Sequence, residues 1–325
     1  MEKVIPVYVL IGYLGSGKTT LLNRVLDHAA GEDRKVAVLL NELGEANVEG
    51  RLLGPEVPMA EMLGGCICCT VRADLGFELT KLAREHRPDA IWIESTGVAR
   101  PLEIMDAVAE ASMSEKLALC GVVAVADGPQ LLDRVRVGAG KTLRLMKEQL
   151  AAASHVLLNK SDLLGLEERK ELERLLREWN PGARLSVAVR AETDLDAICD
   201  DASDFLTAGN EVAIATDLES HHLEHGAHEH VSALTVYLPG PVDSRAFEAF
   251  VERLPEGVYR AKGIVTFRET NSRFLFQYAY GASDYMRIQP QGETHDVVVL
   301  IGEGFPRREL RERLSALATA TGKGD

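Results

Sequence analysis

Val7-Tyr8-Val9-Leu10-Ile11, running straight into Gly12-Tyr13-Leu14-Gly15-Ser16-Gly17-Lys18-Thr19-Thr20, decides the architecture of this chain. The first five residues are apolar on both faces, the pattern of a strand covered by helices on each side. The next eight have the form G-x-x-x-x-G-K-[ST] of a phosphate-binding loop. Its glycines, Gly12, Gly15 and Gly17, let the backbone curl so that successive N–H groups, that of Ser16 among them, face one anion. Lys18 would reach the outer phosphates, and the Thr19 hydroxyl would ligate Mg2+. Thr20, the next residue, joins the same nucleotide-binding set. A helical pattern over residues 19–30 places the anion at a helix N-terminus.

Working outward, similar apolar runs recur over 36–40, 90–93, 122–126 and 156–158. Amphipathic helical patterns over 73–87, 142–153 and 167–179 separate them. Strand and helix alternate, so the spacing predicts an α/β, doubly wound, mainly parallel sheet of the P-loop NTPase kind over residues 1–208. Residues 209–231 break the rhythm and read as an exposed linker. From 232 to 325 the strands come consecutively, over 233–238, 263–267, 274–280 and 296–301, with helices over 244–254 and 306–317. That grammar predicts a smaller α+β domain with an antiparallel sheet.

Which nucleotide the loop takes is read further on. Asn159-Lys160-Ser161-Asp162 follows the apolar run 156–158 and has the N-K-x-D form of GTPases. A carboxylate there accepts from both the ring N–H and the exocyclic amine of guanine, whereas adenine would leave it unpaired. Glu94-Ser95-Thr96-Gly97 ends the run 90–93. Glu94 at that place would hold a Mg2+-bound or attacking water, and the Gly97 N–H would sense the terminal phosphate. Lys18 and Glu94 are thus the candidate catalytic pair. No arginine finger is assignable, so a slow intrinsic rate is expected.

A second chemistry lies in Gly64-Gly65-Cys66-Ile67-Cys68-Cys69-Thr70. Three thiols in four residues cannot share one face of a regular helix or strand, but on a glycine-led loop Cys66, Cys68 and Cys69 can turn onto one ion. Thiolates suit Zn2+ first and Co2+ second, and three of them leave one coordination position open. Glu42, in Asn41-Glu42-Leu43-Gly44-Glu45, is a candidate for either Mg2+ or the thiolate-bound ion, with Glu45 and a plain solvated acidic loop as alternatives. Cys120 and Cys199 sit in apolar runs and read as core. His221, His222, His225, His228 and His230 form an array that would collect metal without defining a site.

Composition bounds what these motifs can mean. The chain has 325 residues, with 36 Lys+Arg against 50 Asp+Glu, a formal net charge of −14. That acidity argues against a general grip on nucleic acid. A 46% hydrophobic, 26% charged composition is that of a folded globular chain. No apolar run is long enough to span a bilayer, and the start Met1-Glu2-Lys3-Val4-Ile5-Pro6 is wrongly flanked for a signal peptide. A cytoplasmic location is expected, and five cysteines there do not make a disulfide framework.

On residues 12–19, 41–45, 65–69, 94–97 and 159–162, and on Arg260-Ala261-Lys262-Gly263, the chain resembles the CobW-type family of P-loop GTPases, relatives of the nickel-insertion GTPases for hydrogenase and urease. Leu43 stands where that family usually has Phe, and Gly64 where Asn is common. The resemblance implies a GTPase using GTP/GDP and Mg2+ that loads or delivers a transition metal held by the C-x-C-C thiols. It implies a client metalloprotein, docked on the C-terminal domain, and a monomer or a nucleotide-dependent dimer. Three alternatives stand beside it: an activator dedicated to one metalloenzyme of nitrile hydratase or cobalamin-pathway type, a non-catalytic metal buffer with structural nucleotide, and a small-molecule kinase.

Overall fold

The computed structural model describes residues 3–42, 57–63, 70–199, 231–279, 281–290 and 292–319. Seven parallel strands form the first sheet: β1 (Ile5–Ile11), β2 (Val36–Glu42), β3 (Met59–Leu63), β4 (Ala90–Ser95), β5 (Leu117–Asp127), β6 (His155–Asn159) and β7 (Arg184–Val187). Their order is β3-β2-β4-β1-β5-β6-β7, so β1 lies at the centre and the chain winds away from it in both directions. Alternation along β1 shows how both faces are filled. Val7, Val9 and Ile11 pack into one core with α2 (Thr70–His86), α3 (Pro101–Ala111), α4 (Gly128–Val137), α5 (Lys141–Ala151) and α6 (Leu166–Trp179). Tyr8 and Leu10 face the other way onto α1 (Lys18–Gly31) and the short α7 (Asp196–Cys199), with Tyr8 stacked on Trp92 at 4.8 Å.

The second sheet has five antiparallel strands, β8 (Val231–Tyr237), β9 (Val258–Phe267), β10 (Ser272–Ala279), β11 (Ala282–Ile288) and β12 (Val297–Glu303), in the order β11-β10-β9-β12-β8. One face packs on α8 (Ser244–Glu252) and α9 (Arg307–Thr319) through Phe247, Phe250, Phe267, Phe276, Leu310 and Leu314. The opposite face meets the first domain. Ile264, Val297, Val299 and Ile301 join the core of α2–α6. Arg260 pairs with the buried Asp106 of α3, and Lys262 with Glu110 at 2.8 Å. The Tyr237 hydroxyl accepts from Leu117 N at 2.7 Å and lies within hydrogen-bond reach of the carbonyls of Ser112, Glu115 and Leu117.

Several extents differ from the sequence reading. β5 is Leu117–Asp127 rather than 122–126, because a register shift opposite Val7/Tyr8 carries the pairing with β1 back to Ile5. β9 begins at Val258 rather than 263, since Arg260 and Lys262 point from mid-strand at acids on α3 instead of marking a loop. Strands β3, β7 and β11 and helices α3 and α4 are not among the elements expected from the sequence. The three strands are sheet edges that are short or exposed on one side, so their residues need not alternate. Residues 209–230 of the expected linker lie outside the described residues. Among the described residues no helix is long and apolar enough to cross a membrane.

Candidate nucleotide and metal site

The carboxyl ends of β1, β4, β5 and β6 gather one polar network around residues 12–19. A strand followed directly by a glycine-led turn and α1 sets the loop, and Gly17, at φ 107°, both adopts a left-handed conformation and makes room. A Cβ on Gly17 would sit 2.5 Å from Asn159 Nδ2. Lys18 is buried and folds back across the loop, its Nζ donating to Gly12 O at 3.0 Å. Ser16 is also buried, and its hydroxyl has no hydrogen-bond partner among the described residues.

Thr19 Oγ1 donates to Glu94 Oε1 at 2.9 Å. Glu94 is buried on β4, with Leu10 of β1 and Leu40 of β2 as its register neighbours. The structure therefore brings the hydroxyl at the loop's end and the carboxylate of the fourth strand to one point. Two hard oxygen donors in that position fit a Mg2+ ion, which favours carboxylate and hydroxyl oxygens.

The Asn159–Asp162 segment is tied to the same loop by two further bonds. Asn159 Nδ2 donates to Ser16 O at 2.9 Å while its Oδ1 accepts from Ala191 N at 2.8 Å. Lys160, at a positive φ of 57°, sends Nζ to Gly15 O at 2.8 Å and to Asp127 Oδ2 at 2.5 Å. Asp162 is exposed in the short turn Ser161–Leu163. Ser161 N donates to Ala188 O, and Ala188 N to Leu158 O, so the stretch 188–191 closes around the motif.

Sequence reasoning missed Asp127 and residues 188–191. Asp127 is legible in retrospect as the acid ending an apolar run. Residues 188–191 act through backbone groups, with Arg190 and Ala191 at φ 51° and 56°, and have no side-chain signature.

The metal-loop residues stand differently. Cys66, Cys68, Cys69 and Glu45, and the five histidines from His221 to His230, lie outside the described residues. The backbone on either side is described: Glu42 at the end of β2 is the register partner of Leu63 at the end of β3. Cys120 is buried among the apolar residues of the first domain, as expected of a core thiol. At the far end of α1, His28, Glu32 and Asp196 approach one another, with His28 Nε2 at 3.0 Å from Asp196 Oδ1 and 3.7 Å from Glu32 Oε1. In this partly exposed cluster His28 is hydrogen-bonded to Asp196.

Comparison with known proteins identifies the family. Residues 6–187 match the CobW/HypB/UreG nucleotide-binding domain, and residues 231–318 match the cobalamin synthesis protein cobW C-terminal domain. The zinc chaperone CobW of a Sinorhizobium species is 30% identical over 353 aligned residues, 96% of this chain and 97% of that protein. The zinc chaperone YjiA of Escherichia coli is 28% identical, over 96% of this chain and 98% of the relative. The zinc-regulated GTPase metalloprotein activator 1 of Dictyostelium discoideum is 30% identical over 80% of this chain, and the alignment spans 62% of that longer relative. The crystal structure of Zn(II)-bound YjiA GTPase is 25% identical and covers 97% of this chain and 99% of its own, with a TM-score of 0.44. On the two domain matches, the chain belongs to the CobW/HypB/UreG family of nucleotide-binding GTPases.

Proposed function

We propose that this protein is a GTP-hydrolysing metallochaperone. It takes a transition-metal ion on Cys66, Cys68 and Cys69 and passes it to a client metalloprotein in step with its nucleotide. The observation that carries the reading is a shared edge of the first sheet. Thr19 is bonded to Glu94 on β4, and on the adjoining strands Glu42 of β2 lies in register with Leu63 of β3, one residue before the cysteine-bearing loop begins. A change in the groups around Glu94 is therefore two strands away from the chain that carries the thiols.

Gly12, Gly15, Ser16, Gly17, Lys18, Thr19 and Thr20 take the phosphates of GTP, and Asn159, Lys160 and Asp162 take guanine. The buried Lys18 ammonium, now spent on Gly12 O, is placed to neutralise the outer phosphates instead. Thr19 and Glu94 would hold Mg2+, with Glu42 a further candidate, and the ion would supply neutralisation of phosphate charge. Glu94 orients the attacking water. The relatives named as zinc chaperones and the thiolate donors favour Zn2+ as cargo, with Co2+ second. Helix α3 starts a few residues after the Glu94–Gly97 segment and ends in contact with Arg260 and Lys262, so the C-terminal domain that would dock the client rides on it.

The test measures zinc affinity of untagged protein with a non-hydrolysable GTP analogue and with GDP. A difference of about fivefold or more is expected, with the reciprocal effect of zinc on nucleotide affinity. Cys66→Ser should abolish the tight site, and Lys18→Ala should abolish phosphate release. Equal zinc affinity in both nucleotide states, or unchanged zinc stoichiometry in Cys66→Ser, would sink the reading.

A further inference from the structure

The turn after β4 is held by bonds within itself and from one helix. Val98 N donates to Thr96 Oγ1 at 3.1 Å, and Ala99 N to Thr96 O at 3.1 Å. The carbonyls of Gly97 and Ala99 both accept from one atom, Gln149 Nε2, at 3.2 Å and 3.1 Å. Gln149 lies on α5 and is 1% exposed. The Gly97 N–H, like those of Thr96 and Arg100, has no hydrogen-bond partner among the described residues. It sits against the phosphate loop: a Cβ on Gly97 would be 2.7 Å from Leu14 N. A donor without a protein partner, set against the phosphate loop, is a place where a ligand oxygen completes the count.

We propose that Gln149 is a positioning residue that holds this turn with the Gly97 N–H free for the terminal phosphate of a nucleoside triphosphate. Discrimination between triphosphate and diphosphate then depends on a side chain of α5 that touches neither nucleotide. The proposal rests on the nucleotide-site reading above and adds to it a residue outside every motif. Its physical basis is the pair of hydrogen bonds donated by one amide nitrogen. Gln149 fixes the peptide after Gly97 and the peptide after Ala99 together, and the second of these leads directly into α3. Without that amide the buried Gly97 carbonyl and the partly buried Ala99 carbonyl lose their donor, and the turn must rotate to recover one from water. The same carbonyls cannot be served by a carboxylate, so Gln149→Glu opposes the arrangement, while Gln149→Met keeps the volume and removes the amide.

The experiment compares wild type, Gln149→Met and Gln149→Glu in three measurements: affinity for a non-hydrolysable GTP analogue, affinity for GDP, and multiple-turnover phosphate release. The expected result is GDP affinity within about twofold of wild type, and analogue affinity reduced roughly ten- to hundredfold, the value of one hydrogen bond to a charged oxygen. Phosphate release should fall in kcat as well. Gln149→Met, which keeps the packing, carries the test if Gln149→Glu does not fold. An equal loss for analogue and GDP, or no loss for either, overturns the proposal and leaves Gln149 a packing residue. A wild-type chain that binds ATP as well as GTP overturns only the guanine reading, because the triphosphate-to-diphosphate ratio still decides Gln149. A wild-type chain that binds no nucleotide overturns both.

Discussion

The two sheets use their polar residues in opposite places. In the parallel sheet they collect at the carboxyl ends of strands: Glu94 near the end of β4, Asp127 at the end of β5 and Asn159 at the end of β6. In the antiparallel sheet they stand in mid-strand, where Arg260 and Lys262 of β9 reach Asp106 and Glu110 of α3. The difference follows from strand direction. Parallel strands finish together at one edge, so side chains and helix N-termini there converge on a ligand. Antiparallel strands alternate their ends, so no such edge exists, and a charged row across the face becomes an interface to another element. The first sheet builds a site and the second reads a helix that leaves that site.

Asn159→Ala tests the convergent edge with the largest expected effect. It removes the bonds to Ser16 O and from Ala191 N at a buried position, and nucleotide affinity measured by titration calorimetry should fall at least a hundredfold, about 3 kcal/mol. Arg260→Ala strikes the interface instead. It leaves the buried Asp106 without its guanidinium partner, and urea unfolding should show a loss of about 2–3 kcal/mol. Nucleotide affinity in that variant should stay within about threefold, which separates interface from site. Tyr237→Phe removes a hydroxyl bonded to the 112–117 turn, and about 1–2 kcal/mol of stability should go with it in the same assay. Burial already holds that phenol protonated far above its usual range, so this loss should not depend on pH below 10.

A pH-dependent effect lies at the other end of the parallel sheet. His155 opens β6, and burial, helped by the Arg184 charge, lowers its pKa from 6.5 to about 4. The unfolded chain then takes up a proton that the native state refuses. Stability is therefore full above pH 6.5 and falls as pH drops towards 4, by at most about 1.4 kcal/mol per pH unit. His155→Gln should flatten that slope in urea unfolding at pH 5 and 6.5, and an unchanged slope would remove His155 from the account.

Much of the first sheet is legible in the chain because its strands are buried on both faces and must be apolar throughout, as in 7–11, 90–93 and 122–126. The edge strands β3, β7 and β11 are not, since a strand with one exposed side carries no such demand. The phosphate loop and the N-K-x-D tetrad are legible because each chemistry fixes residue types at fixed spacing. Asp127 and Gln149 are not, because their work depends on partners 33 and about 50 positions distant in the chain, Lys160 for one and Gly97 and Ala99 for the other.

The sequence by itself determined the fold class and pointed to a nucleotide ligand, for Gly12–Thr19 and Asn159–Asp162 are local patterns whose geometry follows from backbone freedom and side-chain chemistry. Only the tertiary structure decided which groups meet: Thr19 with Glu94, Lys160 with Asp127, Gln149 with the turn at Gly97, and Arg260 with Asp106. These contacts are set by sheet order and helix packing, and no spacing along the chain encodes the distance between one strand end and the next.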